Sequence, residues 1–422
     1  MEYQQTELKQ GIKLHTIKTD KFKTNLAAVF LTTRLKRETV TKNVVISSLL
    51  RRGSKNMPTQ EDISKKMEEM YGAGFDCGLD KTGDNQVFKF YIETINDEFL
   101  PQTEEQMWKM SLEKLFEVIF NPYTENGGFK PEYVEQEKNN IKQKIEGKID
   151  SKARYALDRC VEEMYPDKPY GLYKLGYVED LPQMNEKNLY EAYQNLINNC
   201  KIDILVSGNI EEDVKEFIIK NENIASLKER EPDFAGPKAE PRENTEEKVV
   251  TESMEVTQGK LVLGLDVNLE KEDLKYDALV YNAILGGTAN SKLFQNVREK
   301  AHLAYVASSS YLRFKNNIFI NCGIEISNYE KALNLIKEQI EAMKKGDFSD
   351  EDIKNAKKNI ISTIRLIEDE QDTGLAYYFG QELAKTNMTP EKYMKRIEST
   401  KKDDIVNVAN KVSINTIYFL KD

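Results

Sequence analysis

The chain has 422 residues, 39% hydrophobic and 31% charged, with a formal net charge of −10. That length accommodates two or three domains with real cores, and the acidic balance argues against nucleic acid, whose affinity comes from clustered Lys and Arg. No apolar run approaches the ~20 residues of a transmembrane helix, and the first residues lack the apolar stretch of a signal peptide. The four cysteines (Cys77, Cys160, Cys200, Cys322) are scattered without a CxxC pair. They read as buried thiols of a cytoplasmic protein without membrane contact.

Residues 24–34 (TNLAAVFLTTR) read as a strand. An apolar helix follows around Val44 to Leu50, with Val45, Ile46, Leu49 and Leu50 on one face, and Gly53 ends it. Thr59 caps the next helix with Asp62 in a capping-box arrangement, and Gly72 stops it. Residues 86–94 (QVFKFYIET) alternate as a strand. Helical text covers about 103–118 and about 131–163, the second opened by Pro131 at its first position. A helix near 186–197 leads into the buried strand IDILVSGNI, 202–210. Residues 222–247 are charged, proline-bearing and aperiodic, and read as a linker between domains 1–221 and 248–422.

After the linker the same grammar begins again. KLVLGLDVNL (260–269) answers 24–34, and the helix carrying Tyr276, Val280, Ala283 and Ile284 answers Val44 to Leu50, with Gly286-Gly287 in the place of Gly53. FINCGIEI (319–326) answers FKFYIET, FSDEDIKNAKKNIISTI (348–364) aligns without gaps on FKPEYVEQEKNNIKQKI (129–145), and INTIYFLKD (414–422) answers KIDILVSG (201–208). We therefore expect an α+β chain of two homologous domains, each a largely antiparallel sheet with helices on one face.

The chemistry is limited by histidine: there are two, His15 and His302. A zinc hydrolase needs several His or Cys ligands at short spacing, and neither imidazole has a G-x-S-x-G serine to serve. The sharper candidate is GGTANSKLFQNVREKAHLAY, 286–305. Gly286 and Gly287 break an apolar helix and are expected to give a flexible loop. A new helix begins near Ser291. Arg298 and Tyr305 are seven residues apart, two helical turns, so a helix reaching 305 places both on one face. If it ends near His302, Tyr305 lies just past its end. A guanidinium beside a phenol can hold a peptide carbonyl or carboxylate. The plain alternative is a surface arginine and a half-buried tyrosine. Other features read as ordinary surface or core: the basic cluster Arg34, Lys36 and Arg37 is a solvated strand end, while the lone Trp108 on a polar helix marks an interface.

SKLFQNVREKAHLAY (291–305) is similar to the pattern SRLFQEVREKRGLAY of the M16 (pitrilysin and mitochondrial processing peptidase) family, and GSKNMPTQEDISKKMEEMYGAGF (53–75) to the segment after that family's zinc helix. The chain resembles the bacterial two-domain form over essentially its whole length, which implies the LuxS/MPP-like metallohydrolase fold. Active members carry H-x-x-E-H, whose histidines hold zinc and whose glutamate activates water, and a further glutamate ligand in the long helix. Here those positions fall on Val44, Ser47, Ser48 and Lys144; Glu146, close by, is not expected to serve as a ligand. The resemblance implies an inactive subunit without a cofactor of its own, in a branch of partners associated with elongation-factor-P modification. Its Arg298 and Tyr305 would grip a peptide substrate opposite the zinc of an H-x-x-E-H relative, with a homodimer conceivable in that relative's absence. The alternatives are a non-proteolytic binding or assembly scaffold on the same fold, and an independent hydrolase, for which metal and base are missing.

Overall fold

The computed structural model describes residues 2–101, 106–210, 213–237, 246–269 and 271–422. In chain order its strands are β1 (Glu2–Lys9), β2 (Ile12–Lys18), β3 (Thr24–Arg34), β4 (Gly74–Thr82), β5 (Asn85–Ile95), the short pair β6 (Thr124–Glu125) and β7 (Gly128–Phe129), β8 (Lys201–Gly208), β9 (Lys248–Ser253), β10 (Gly259–Val267), β11 (Ala304–Leu312), β12 (Asn317–Ile324) and β13 (Val412–Lys421). The helices are α1 (Val40–Leu50), α2 (Gln60–Glu69), α3 (Met107–Phe120), α4 (Pro131–Glu146), α5 (Lys152–Met164), α6 (Glu186–Asn199), α7 (Val214–Lys220), α8 (Glu222–Ser226), α9 (Leu274–Asn282), α10 (Tyr329–Lys344), α11 (Asp350–Asp369), α12 (Gln371–Ala384), α13 (Pro390–Ser399) and α14 (Lys402–Ala409). Ala283–Gly287 and Phe294–Lys300 are π-helical.

The described residues form two compact units. The first is drawn from 1–146, 172–235 and 370–380, and the second from 147–171, 236–369 and 381–422. Packing thus departs from the chain-order boundaries at 221 and 247. Residues 222–235 do not run free, because Asn221 caps α8, the buried Arg230 donates to the Ile197 carbonyl, and Asp233 accepts from Arg34 at 2.8 Å. Residues 238–245 of the expected linker lie outside the described residues, as do 103–105 of the expected helix 103–118. The single helix expected over 131–163 is interrupted at 147–151, which separates α4 in the first unit from α5 in the second.

The first unit's sheet runs β1-β2-β8-β3-β5-β4 and the second's β11-β12-β10-β13-β9. Counted from its parallel end, the second reads β9-β13-β10-β12-β11 and matches β2-β8-β3-β5-β4 strand for strand. Neighbouring strands are antiparallel in both sheets except β2 with β8 and β9 with β13. This α+β topology, used twice, is what the internal repeat encodes.

Strand alternation divides the side chains between two faces. In the first unit Val29 and Leu31 of β3 join the core formed with α1, α3 and α6. Phe30 points the other way and meets the Phe379 ring edge-on, with centroids 4.6 Å apart. In the second unit Val262 of β10 packs with Phe319, Tyr418 and Leu420 against Tyr155, Cys160 and Met164 of α5. Each sheet therefore has a second face closed by one helix from the other half of the chain. Trp108 is core rather than interface: it is 2% exposed and lies edge-on to Phe217 at 5.4 Å. The Thr59–Asp62 capping box is present, with both backbone amides bonded, at 3.0 and 3.1 Å.

Candidate functional site

Helix α1 is apolar on most sides because the first unit buries it. One narrow strip of it opens on a pocket of about 350 Å³. Val44, Ser47 and Ser48 stand on that strip at i, i+3 and i+4, the spacing that brings side chains to one helical face. Lys144 of α4 lines the same pocket, so all four positions singled out as degenerate metal positions come together. Glu146 is not among the lining residues.

The residues present do not fit zinc, which takes deprotonated nitrogen, sulfur or oxygen donors at about 2 Å. Val44 offers no donor, serine hydroxyls are weak ones, and the Lys144 ammonium repels a cation. Cys77 also lines the pocket, but burial pushes its thiol up to about 12 and keeps it protonated. The one carboxylate there is Glu137, buried and taken by Arg52 at 2.5 Å. Sequence reasoning missed Glu137, although a signal existed: it precedes Lys144 by seven residues, two turns of α4, and so shares its face. Arg51 and Gln60 complete the polar lining.

In the second unit, Arg298 and Tyr305 do not share a helix. The π-helical segment ends at Lys300, with the Ala301 amide bonding the Asn296 carbonyl five residues back at 3.2 Å. His302 follows in the left-handed region at φ 52°, and β11 begins at Ala304. Ala304 pairs with Ile324 and Val306 with Gly323, which leaves Tyr305 as the extra residue of a β-bulge. A bulge re-aims the side chain it carries, and Tyr305 is 68% exposed. Arg298 lies over the Phe294 ring at 4.6 Å, and its nearest ion-pair partner is the exposed Glu299 at 3.5 Å. Such a surface pair costs little to exchange for another anion. The π-helical segment itself is anchored by Asn296, which donates to Gln339 of α10 at 2.6 Å.

The flexible loop expected at Gly286 and Gly287 is instead the end of a helical turn, Ala283–Gly287. Gly286 is buried, and a Cβ there would come within 2.7 Å of the Ser309 backbone nitrogen and 2.8 Å of Leu293. Glycine supplies room at this position, not mobility. A Cβ on the exposed Gly287 would meet Asn282 at 2.9 Å.

Residues 183–360 match a family model described as the peptidase M16 inactive domain. The chain is 33% identical over 417 residues to the "Probable inactive metalloprotease YmfF" of Bacillus subtilis, covering 97% of this chain and 96% of that relative. It is 27% identical over 243 residues to the "Uncharacterized zinc protease YmxG" of the same organism, covering 55% and 56%. Among solved structures, a conserved protein from Enterococcus faecalis matches with a TM-score of 0.89 at 30% identity, over 100% of this chain and 99% of that one.

Proposed function

The chain belongs to the peptidase M16 family as a member without its zinc ligands, and from that premise we propose that it is the substrate-binding subunit of a two-chain zinc peptidase. A relative carrying H-x-x-E-H supplies metal and base. This chain supplies Arg298 and Tyr305. What supports the proposal is the contrast between a pocket whose lining does not fit zinc and an arginine and a tyrosine left exposed, on a π-helical segment and a bulge.

The setting of that pair suits an extended peptide. β11 is an edge strand, and Tyr305, Val306 and Leu312 on it are exposed apolar side chains. Long bare edges invite strand addition. A peptide adding to β11 would gain main-chain hydrogen bonds while Arg298 and Tyr305 take a carbonyl or a terminal carboxylate. Charge-assisted hydrogen bonds of this kind contribute about 1.5–3 kcal/mol each.

The test is reconstitution. We expect the purified chain to bind no zinc and cleave no peptide, and its mixture with an H-x-x-E-H relative to cleave. The double variant Arg298→Ala, Tyr305→Phe should lower kcat/KM of the mixture about 10–100-fold with the melting temperature unchanged. Full activity of that mixture would remove the gripping role. Stoichiometric zinc on the chain alone would remove the subunit reading and leave an enzyme in its own right. A mixture no more active than the relative alone would favour the scaffold.

A further inference from the structure

We propose that the pocket at the old metal position has become an oxyanion site, fitted to a carboxylate such as a peptide C-terminus. The charge of the pocket is inverted. Where the family calls for acidic and imidazole ligands around a cation, this pocket is lined by the Arg51 guanidinium and the Lys144 ammonium together with the hydroxyls of Ser47 and Ser48 and the amide of Gln60. All of these donate hydrogen bonds. The single carboxylate in the lining, Glu137, is already matched by Arg52, so it does not cancel the two cations. Arg51 is held only loosely, 3.9 Å from the exposed Asp76, and remains free to turn to a ligand. Arg51 and Arg52 also stand at the C-terminal end of α1, where they offset the negative end of its dipole.

The shape agrees with a small ligand. About 350 Å³ lies at the lower end of ligand-pocket sizes and admits a terminal residue or a small anion. The floor is apolar, formed by Val44 and Ile141, which suits an aliphatic side chain beside the carboxylate. Arginine and lysine beside hydroxyl donors form a common recognition set for carboxylate and for phosphate. The inference concerns the first unit alone and does not depend on the Arg298 and Tyr305 reading.

Calorimetry on the full chain tests it with three probes: acetyl-dialanine with a free carboxylate, its C-terminal amide, and inorganic phosphate. We expect the acid to bind about tenfold more tightly than the amide, and Arg51→Glu and Lys144→Glu each to weaken it about tenfold. Both side chains are exposed, so both variants should fold. Ser47→Ala, which removes only a hydroxyl, should cause a smaller loss. Phosphate binding that outmatches the acid and falls with the same two charge variants would support the oxyanion site with phosphate as its ligand. Acid and amide binding alike, no binding of any probe, or binding indifferent to both charge variants would overturn the proposal. The Arg298→Ala, Tyr305→Phe chain should bind the acid as the unaltered chain does, which keeps the two readings separable.

Discussion

The two units lay the same strands in the same order yet fill equivalent places differently, and their parallel strand pairs show how. In the first unit Asp203 of β8 shares a 2.9 Å hydrogen bond with His15 of β2 and accepts another from Lys201, all three groups buried. His15 bonds Tyr3 at 2.8 Å, and the Tyr3 ring stacks on Tyr378 of α12 at 3.9 Å. In the second unit Glu252 of β9 accepts from Tyr418 of β13 at 2.6 Å and from Tyr155 and Arg159 of α5 at 2.5 and 3.1 Å. Each parallel pair thus carries a carboxylate that ties down the helix covering the sheet's second face. What differs is depth. Burial pushes Asp203 upward, but Lys201 and His15 outweigh it and hold the carboxyl down to about 2. Glu252, with more water around it, is lowered by the hydrogen bonds of Tyr155, Tyr418 and Arg159 against a burial that opposes them. The two carboxylates stand on opposite members of their parallel pairs, β8 in the first unit and β9, the counterpart of β2, in the second, and the local neighbours decide how much stability hangs on each.

The largest expected effect tests whether the first unit's pocket is the lost half of this pairing. Val44→His, Ser47→Glu, Ser48→His and Lys144→Glu together should restore stoichiometric zinc, a gain on the order of 10 kcal/mol in a well-formed site. Metal analysis of the purified variant measures it. A folded variant without zinc would break the equivalence drawn between these positions and the family's ligands.

Next comes the contrast in depth. Asp203→Asn removes the buried charge that both His15 and Lys201 contact and should cost about 3–5 kcal/mol in urea unfolding. Glu252→Gln should cost about 1–2 kcal/mol. The Asp203 contribution is complete above its ordinary value of 3.8 and is lost as pH falls toward about 2, because in that window the unfolded chain takes up the proton while the folded carboxyl stays ionised. Equal losses from the two substitutions would erase the distinction.

A comparably small effect concerns the glycines at matching helix ends. A Cβ at Gly53 would fall 2.5 Å from the Pro58 carbonyl group, and one at Gly286 would fall 2.7 Å from the Ser309 nitrogen. Alanine at either position should cost about 1–3 kcal/mol by overpacking. A neutral Gly286→Ala would return that turn to the flexible loop expected from its sequence.

Much of this was legible in the sequence because it depends on local pattern. The strand-like run 24–34 and the alternating text 86–94 are β3 and β5, and Thr59 with Asp62 makes the cap their spacing announced. β1 and β4 were not legible: EYQQTELK is a polar edge, and GFDCGLDKT contains two glycines and little alternation. Spacing arguments at 3.6 residues per turn assume an α-helix, so they missed the π-helical geometry of 294–300 and the bulge that turns Tyr305 outward. The gathering of Val44, Ser47, Ser48 and Lys144 in one pocket was legible through family resemblance, whereas Glu137 and Arg51, which helical spacing places beside Lys144 and Ser48, went unread because the resemblance assigns them no role.

The helix that closes the Phe30 face has a consequence for synthesis. Residues 370–380 leave the ribosome more than a hundred residues after the rest of the first unit, so that unit waits with the second face of its sheet open to water until they emerge. A truncation after the first half of the gene would leave that face permanently bare, and such a fragment should aggregate.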